Sequence, residues 1–284
     1  MTPLVTAVIP TYNWSSVLRC SIASALDQTV ADLELLVVGD ACTDDTADVV
    51  ASFAAADRRV RWINLARHGG SQVGPNNEAL RQARGQFIAY LGHDDLWLPH
   101  HLEVLVAALT DPAAACATAH GRVALVNPGR RPFAFPHQSW QYRRGEWIPP
   151  TSALHDAAAM RTAGGWRGHA VTGTLDPESD LCARLFDEFG APRLVPRLTS
   201  IKLPAAYRRD VYRHRPNGEQ MEWLRRMRAA ADPEAELELC CGEPDHPGPH
   251  DDDAVAILQP VMETSVSAAA RHAALRRFKG LDPA

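Results

Sequence analysis

The first third of the chain alternates short apolar runs with stretches of helical period, joined by short connections. Leu4 to Ile9 is a β-rich run stopped by Pro10. Ser15 or Ser16 can then cap a helix whose stripe is Leu18, Ile22, Ala25 and Leu26. Leu33 to Val38 is the next strand, and Thr43 can cap a helix carrying Ala47, Val50 and Ala54 on one face. Val60 to Leu65, Asn76 to Ala83, Phe87 to Leu91 and Pro99 to Leu109 continue as strand, helix, strand, helix. Units of this length predict an α/β fold, a mainly parallel sheet flanked by helices. Such sheets use right-handed crossovers and bind ligands beyond the carboxyl ends of their strands. The polar residues fall there: Pro10-Thr11-Tyr12-Asn13, Gly39-Asp40, Arg67-His68-Gly69-Gly70 and His93-Asp94-Asp95.

After about Pro112 the pattern loosens. Val123 to Val126 reads as a strand, Asn127 to Pro150 is rich in Pro, Arg and aromatics, and Glu178 to Phe189 reads as a helix. Gln220 to Ala230 and Ala254 to Phe278 predict a C-terminal helical extension, the second helix interrupted at Pro260. Between them Gly242 to Asp253 has the composition of a mobile loop. These shifts divide the chain into 1–112, 113–205 and 206–284.

A net charge of −5 gives no concentrated basic surface, so nucleic acid is not an expected partner. Arg208-Arg209, Arg225-Arg226-Met227-Arg228 and Arg276-Arg277 read as solvated helix faces. The first residues lack the charged and apolar regions of a signal peptide, and no run approaches the ~20 apolar residues of a membrane span. A soluble, cytoplasmic protein is expected. Six cysteines without C-x-x-C spacing read as reduced thiols. Cys240-Cys241 with His246 and His250 lacks the paired spacing of a zinc site and sits in loop composition.

Gly92-His93-Asp94-Asp95 follows a buried-looking strand, and two adjacent carboxylates there need compensation. They can hold a hard cation, which in turn grips phosphate, or start a turn that caps the helix beginning near Pro99; both can hold at once. Gly69 to Gly74 has neither the Walker lysine nor the dinucleotide spacing.

Taken together, Val8-Ile9-Pro10-Thr11-Tyr12-Asn13, Ala25 to Thr29, Glu34 to Asp40, Cys42 to Thr46, Asn77 before Ala83-Arg84-Gly85, and His93-Asp94-Asp95 with Pro99 make the chain resemble one family. It is similar to the family-two nucleotide-sugar glycosyltransferases of GT-A (Rossmann-like) fold, closely over residues 4–110 and more loosely over 150–190. The resemblance implies an inverting, metal-dependent hexosyl- or N-acetylhexosaminyl-transferase that moves a sugar from a nucleoside diphosphate sugar, with UDP or dTDP favoured, to an acceptor hydroxyl. It makes 1–112 the donor-binding part and 113–205 the part that supplies acceptor site and base.

The same resemblance implies roles. Pro10, Thr11, Tyr12 and Asn13 would line the nucleotide pocket, and Asp40 would accept a hydrogen bond from the base N–H. Asn77 and His93 belong to the same donor set, and Arg67 could replace the cation lost where relatives have Arg-Asn and this chain has Asn76-Asn77. Asp95 would ligate Mn²⁺ or Mg²⁺, with Asp94 on the ribose or sugar or on the metal through water. Gly39 and Gly92 stand where relatives carry acids.

Attack by a hydroxyl on an anomeric carbon needs a base within hydrogen-bond reach. Aligned on the Gly164-Gly165-Trp166 and Asp176-Pro177-Glu178-Ser179-Asp180-Leu181 segments, Glu178 takes that position and Asp180 is the reserve. Asp176, Pro177 and Glu178 also form an ordinary helix start. Trp166 could wall the acceptor pocket or sit in the core. His155 and His169 read as polar-surface or acceptor-loop residues. A nucleotidylyltransferase would need a Gly-rich loop after the first strand, and Pro10-Thr11-Tyr12-Asn13 stands there instead. The remaining alternative is a catalytically degenerate GT-A-like protein that binds nucleotide or a partner.

Overall fold

Apolar alternation along the first strands sends side chains to both faces of one sheet. Val5, Ala7 and Ile9 join one core cluster while Val8 joins the other; Leu35 and Val37 oppose Leu36 and Val38 in the same way. The computed structural model describes residues 2–113, 115–242 and 267–281. Its elements are β1 (Val5–Thr11), α1 (Ser15–Leu26), β2 (Leu33–Gly39), α2 (Thr46–Ala56), β3 (Val60–Asn64), α3 (Val73–Gln82), β4 (Phe87–Tyr90), β5 (Leu96–Trp97) and α4 (His101–Thr110). There follow β6 (Thr118–Leu125), β7 (Phe133–Phe135), β8 (Ala153–Asp156), α5 (Ala157–Thr162), α6 (Pro177–Phe189) and β9 (Arg193–Lys202). The described chain closes with α7 (Val211–His214), α8 (Gly218–Ala229), α9 (Pro233–Cys240) and α10 (Ala268–Phe278). Residues 243–253 of the expected loop, with His246 and His250, and residues 254–266 of the expected last helix lie outside the described residues.

The described strands form a nine-stranded mixed sheet in the order β3-β2-β1-β4-β8-β6-β9-β5, with β7 on β6. β3, β2, β1 and β4 are parallel, as the alternating units predict. β8 pairs antiparallel with both β4 and β6, which joins the second half of the chain to the first through one continuous sheet. Leu18, Ile22, Leu102 and Leu105 from α1 and α4 pack on one face, and Ala79, Leu80, Met160, Leu181 and Leu185 from α3, α5 and α6 on the other. Each such leucine or isoleucine stabilises the fold by about 1.5–3 kcal/mol when fully buried.

Two local expectations change. β1 runs through Pro10 to Thr11, since Pro10 pairs with Val38 while the β4 ladder ends at Val8 opposite Tyr90. Val8 accepts from Leu91 N–H, so Pro10, two residues on, turns its missing donor to the same side, beyond that ladder. Neither Ser15 or Ser16 nor Thr43 caps its helix: the preceding residues are Trp14 and Asp45. Asp44 takes over, accepting from Ser15 N at 3.3 Å and from Thr46 N at 3.2 Å, and so ties the starts of α1 and α2 together.

Candidate active site

The carboxyl ends of β1, β2 and β4 put Thr11, Asp40 and the 92–95 turn on one rim. Thr11 Oγ1 meets His93 Nδ1 at 3.1 Å, and His93 Nε2 meets the Tyr212 hydroxyl at 3.0 Å. Burial lowers the His93 pKa, so the ring is neutral between them. Tyr12 stacks on His68 at 4.2 Å between centroids. Asn13, at φ +44°, turns its side chain to the next loop: Oδ1 accepts from Thr43 N at 2.7 Å and Asp44 N at 3.3 Å. Its role in the structure is to clamp two strand-end loops.

Asp40 is buried, and its carboxylate accepts from Gly69 N at 2.8 Å and Gly70 N at 3.0 Å while pairing with His68 Nδ1 at 2.9 Å. It thereby fixes the loop that precedes α3. Arg67 is exposed on that loop. Gly39 has a packing reason to lack a side chain: a Cβ would lie 2.5 Å from the Trp62 ring and 2.6 Å from Asn64 Oδ1.

The metal assignment is where the structure departs most from expectation. Asp95 is fully buried; Oδ1 accepts from Leu203 N at 3.0 Å, and Oδ2 takes Lys202 Nζ at 2.9 Å together with the Thr151 hydroxyl. An ammonium stands on the carboxylate expected to ligate a cation. Gly92 offers no side-chain oxygen, and a Cβ there would lie 2.6 Å from Asp95 Oδ2. Among the described residues no group of three or more His, Cys, Asp or Glu is disposed to hold a metal ion. This donor set does not fit a divalent site centred on Asp95. Burial and the neighbouring Asp95 raise the Asp94 pKa. Burial works against the Lys202 ammonium, but Asp95, Asp94 and Glu178 outweigh it and hold its pKa above the ordinary lysine value.

Glu178, in the first turn of α6, lines a cleft with Pro10, Gln72, Gly92, Asp95, Trp147 and Lys202. Its Oε1 accepts from Gln72 Nε2 at 2.5 Å, and burial, reinforced by Asp176, raises its pKa. Asp180 does not reach this cleft; it pairs with Arg184 at 2.8 Å, whose guanidinium also holds the carbonyls of Ala163 and Gly165. Trp166 is in the core, edge-on to Tyr90 at 5.0 Å, and exchanges two 2.9 Å hydrogen bonds with Asn77. Asn77 and Trp166 are thus a brace between α3 and the Gly164-Gly165 turn rather than walls of the cleft; Trp147 is the tryptophan that lines it. His155 is buried in β8 on Thr118 Oγ1 at 2.9 Å, not on the surface, and His169 stacks on His272.

The C-terminal segment returns to this rim. Arg276 Nη1 donates to Gly70 O at 2.6 Å and His272 Nε2 meets the same carbonyl at 3.0 Å. Lys279 Nζ lies 5.7 Å over the Tyr212 ring, and Tyr212 N donates to Lys279 O at 3.0 Å. Burial pushes the Lys279 pKa down to about 8 against the pull of Asp94. Lys202 and Lys279 carried no sequence motif. The one signal is a single lysine flanked by Ile201 and Leu203.

Residues 6–162, more than half of the chain, match the family model for glycosyl transferase family 2. The chain belongs to glycosyl transferase family 2. Over 106 residues this family 2 chain is 37% identical to UDP-Glc:alpha-D-GlcNAc-diphosphoundecaprenol beta-1,3-glucosyltransferase WfgD of Escherichia coli, covering 37% of this chain and 41% of that one. Over 103 residues it is 39% identical to the chondroitin synthase of Escherichia coli, covering 36% and 15%. It therefore spans about two fifths or less of the length of these relatives. Among solved structures it is similar to the mannosyltransferase PcManGT of Pyrobaculum calidifontis in complex with GDP-Man and Mn²⁺ (TM-score 0.56, 19% identity, 95% of this chain and 74% of that one). It is also similar to S. aureus TarS 1–349 with UDP-GlcNAc (TM-score 0.58, 17% identity, 84% and 70%). At these identities the likeness is one of fold, and that fold is GT-A. Glu178, Lys202 and Lys279 all lie outside the stretch matched by the family 2 model.

Proposed function

We propose that this family 2 chain transfers a sugar from a nucleoside diphosphate sugar to an acceptor hydroxyl with inversion at the anomeric carbon. One observation carries the reading: the Glu178 carboxylate lines the same cleft as the Gly92–Asp95 turn, at the carboxyl ends of β1 and β4. Glu178 takes the acceptor proton as the new bond forms, and the diphosphate leaves on the opposite face. The other carboxylate lining the cleft, Asp95, is engaged by Lys202, which leaves no second nucleophile for a double displacement. Trp147 offers an apolar wall for the acceptor. Residues 1–112 hold the donor and 113–205 the acceptor and base.

The mannosyltransferase relative is described with Mn²⁺. For this chain the expected Mn²⁺ or Mg²⁺ has no fitting donor set at Asp95, and no step here runs through a metal. No helix among the described residues is long and apolar enough to cross a membrane. The six cysteines are free, which supports a reducing, cytoplasmic setting.

Nucleotide selectivity tests the donor half. Asp40 at the end of β2 leads to the expectation that UDP or dTDP binds better than ADP or GDP in a thermal-shift screen, because ligands of the native state raise its melting temperature. Asp40→Ala also frees the Gly69 and Gly70 amides, so it weakens all of them and narrows the difference. A wild-type preference for ADP or GDP overturns the assignment. Transfer or hydrolysis of a nucleotide sugar by the purified protein excludes the degenerate alternative.

A further inference from the structure

Two carboxylates, Asp95 and Glu178, line a cleft proposed to receive a diphosphate, Asp94 is buried next to Asp95 in the same turn, and the positive charge beside them comes from side chains. We infer that Lys202 and Lys279 supply, as ammonium groups, the positive charge toward the donor's diphosphate, so that this chain binds a nucleoside diphosphate without a divalent metal. This rests on the transferase reading above and adds to it which groups hold the leaving nucleotide.

Geometry at Asp95 is the first support. Both its oxygens are engaged, by Leu203 N–H on one side and by Lys202 and Thr151 on the other. A divalent ion on Asp95 would have to displace an ammonium 2.9 Å away or sit against it, and like charges at that range repel strongly in a poorly solvated site. Gly92 removes the acid that would strengthen such a site, and its Cβ position is closed by Asp95 itself at 2.6 Å.

Placement of the two lysines is the second. Lys202 lines the cleft beside Gly92 and Glu178, and among the described residues the one hydrogen bond of its ammonium is to Asp95. Two of its three N–H groups remain for phosphate oxygens. Lys279 comes from the other side, above the Tyr212 ring whose hydroxyl meets His93. Among the described residues it has no carboxylate within ion-pair distance, and Asp94 and Glu178 are the acids that face it. As the acceptor oxygen–C1 bond forms and the C1–oxygen bond to the β-phosphate breaks, Glu178 takes the hydroxyl proton. The two ammoniums hold the charge left on the phosphate oxygen.

The test is calorimetric binding of UDP, dTDP, GDP and ADP to chelator-treated protein, with and without Mn²⁺ or Mg²⁺. The expected result is that the tightest of the four binds with the same affinity in all conditions. Lys202→Met and Lys279→Met are each expected to weaken it by roughly 10-fold or more, the scale of losing a charge-assisted hydrogen bond, while the matching monophosphate is affected less. Should Lys202→Met fail to fold because Asp95 is left unpaired, Asp95→Asn/Lys202→Met removes that cause, and the Lys279 variant stands independently. An affinity that falls tenfold in chelator and returns with Mn²⁺ overturns the inference, as does unchanged affinity in both lysine variants. Binding of none of the four, with or without metal, overturns the donor-site reading itself.

Discussion

Glu178 shows how one side chain can belong to an ordinary helix start and still be placed for the proposed role of base. It follows Pro177 in the first turn of α6, where an acid is favoured by the helix dipole, yet it is turned into the cleft and held by Gln72. A residue serving only the helix would gain from being ionised. Burial does the opposite here and raises the Glu178 pKa. A carboxyl with a raised folded pKa binds its proton more tightly in the native state than in the unfolded chain. It therefore costs stability as pH rises through that pKa. Glu178→Gln is expected to lower transfer by at least ~100-fold, within the range of a lost general base, while the melting temperature at pH 7 stays level or rises. The wild-type rate is expected to climb with pH on a limb centred above the usual carboxylate range. Retained turnover with a lowered melting temperature would show that the residue only supports the helix.

At the scale of elements, the Gly92–Asp95 turn is a clasp between the two halves of the sheet. Asp95 reaches the end of β9 through Lys202 and Leu203, and the segment before β8 through Thr151. Removing one partner of a buried pair leaves the other uncompensated, so Asp95→Ala is expected to cost about 3 kcal/mol in denaturant unfolding. A cost below ~0.5 kcal/mol, as at a surface site, would remove the clasp from the account. The parallel half was legible because apolar runs and helical periods repeat there without interruption. β9 was not: Arg193 and Arg197 are polar strand residues, and Pro196 argues against a strand at all. The structure accommodates Pro196 where the β6 register jumps from His120–Leu194 to Arg122–Leu198, leaving extra residues on β9. β5, two residues long, has no period to read. Glu178 was legible only through its resemblance, and the lysine on Asp95 was hidden because β9 itself was.

Across the whole molecule, the sheet and the helix packed on it bury imidazoles that no pattern of neighbouring residues marks as interior. His101 stacks on Trp97, His120 packs edge-on to Trp140, and His155 sits between Thr118 and Tyr90. Burial pushes His101 down to about 3 and His120 and His155 down to about 4, from an ordinary value of 6.5. For a base whose folded pKa is depressed, the unfolded chain binds more protons between the two values. Stability is therefore full above about 6.5 and lost as pH falls toward 4. The loss is on the order of 1–2 kcal/mol per histidine by pH 5. Glu178 and Asp94, raised by burial, work in the opposite sense and offset part of it. The histidines lowered by burial, His93 among them, outnumber the two acids and predict a melting temperature that drops between pH 7 and pH 5. His120→Phe separates the terms: neither ring nitrogen of His120 has a hydrogen-bond partner among the described residues, so phenylalanine forfeits none and keeps the aromatic contact. Its melting temperature is expected to fall less over the same interval than that of the wild type. Equal falls in the two proteins would assign the acid sensitivity to groups other than His120.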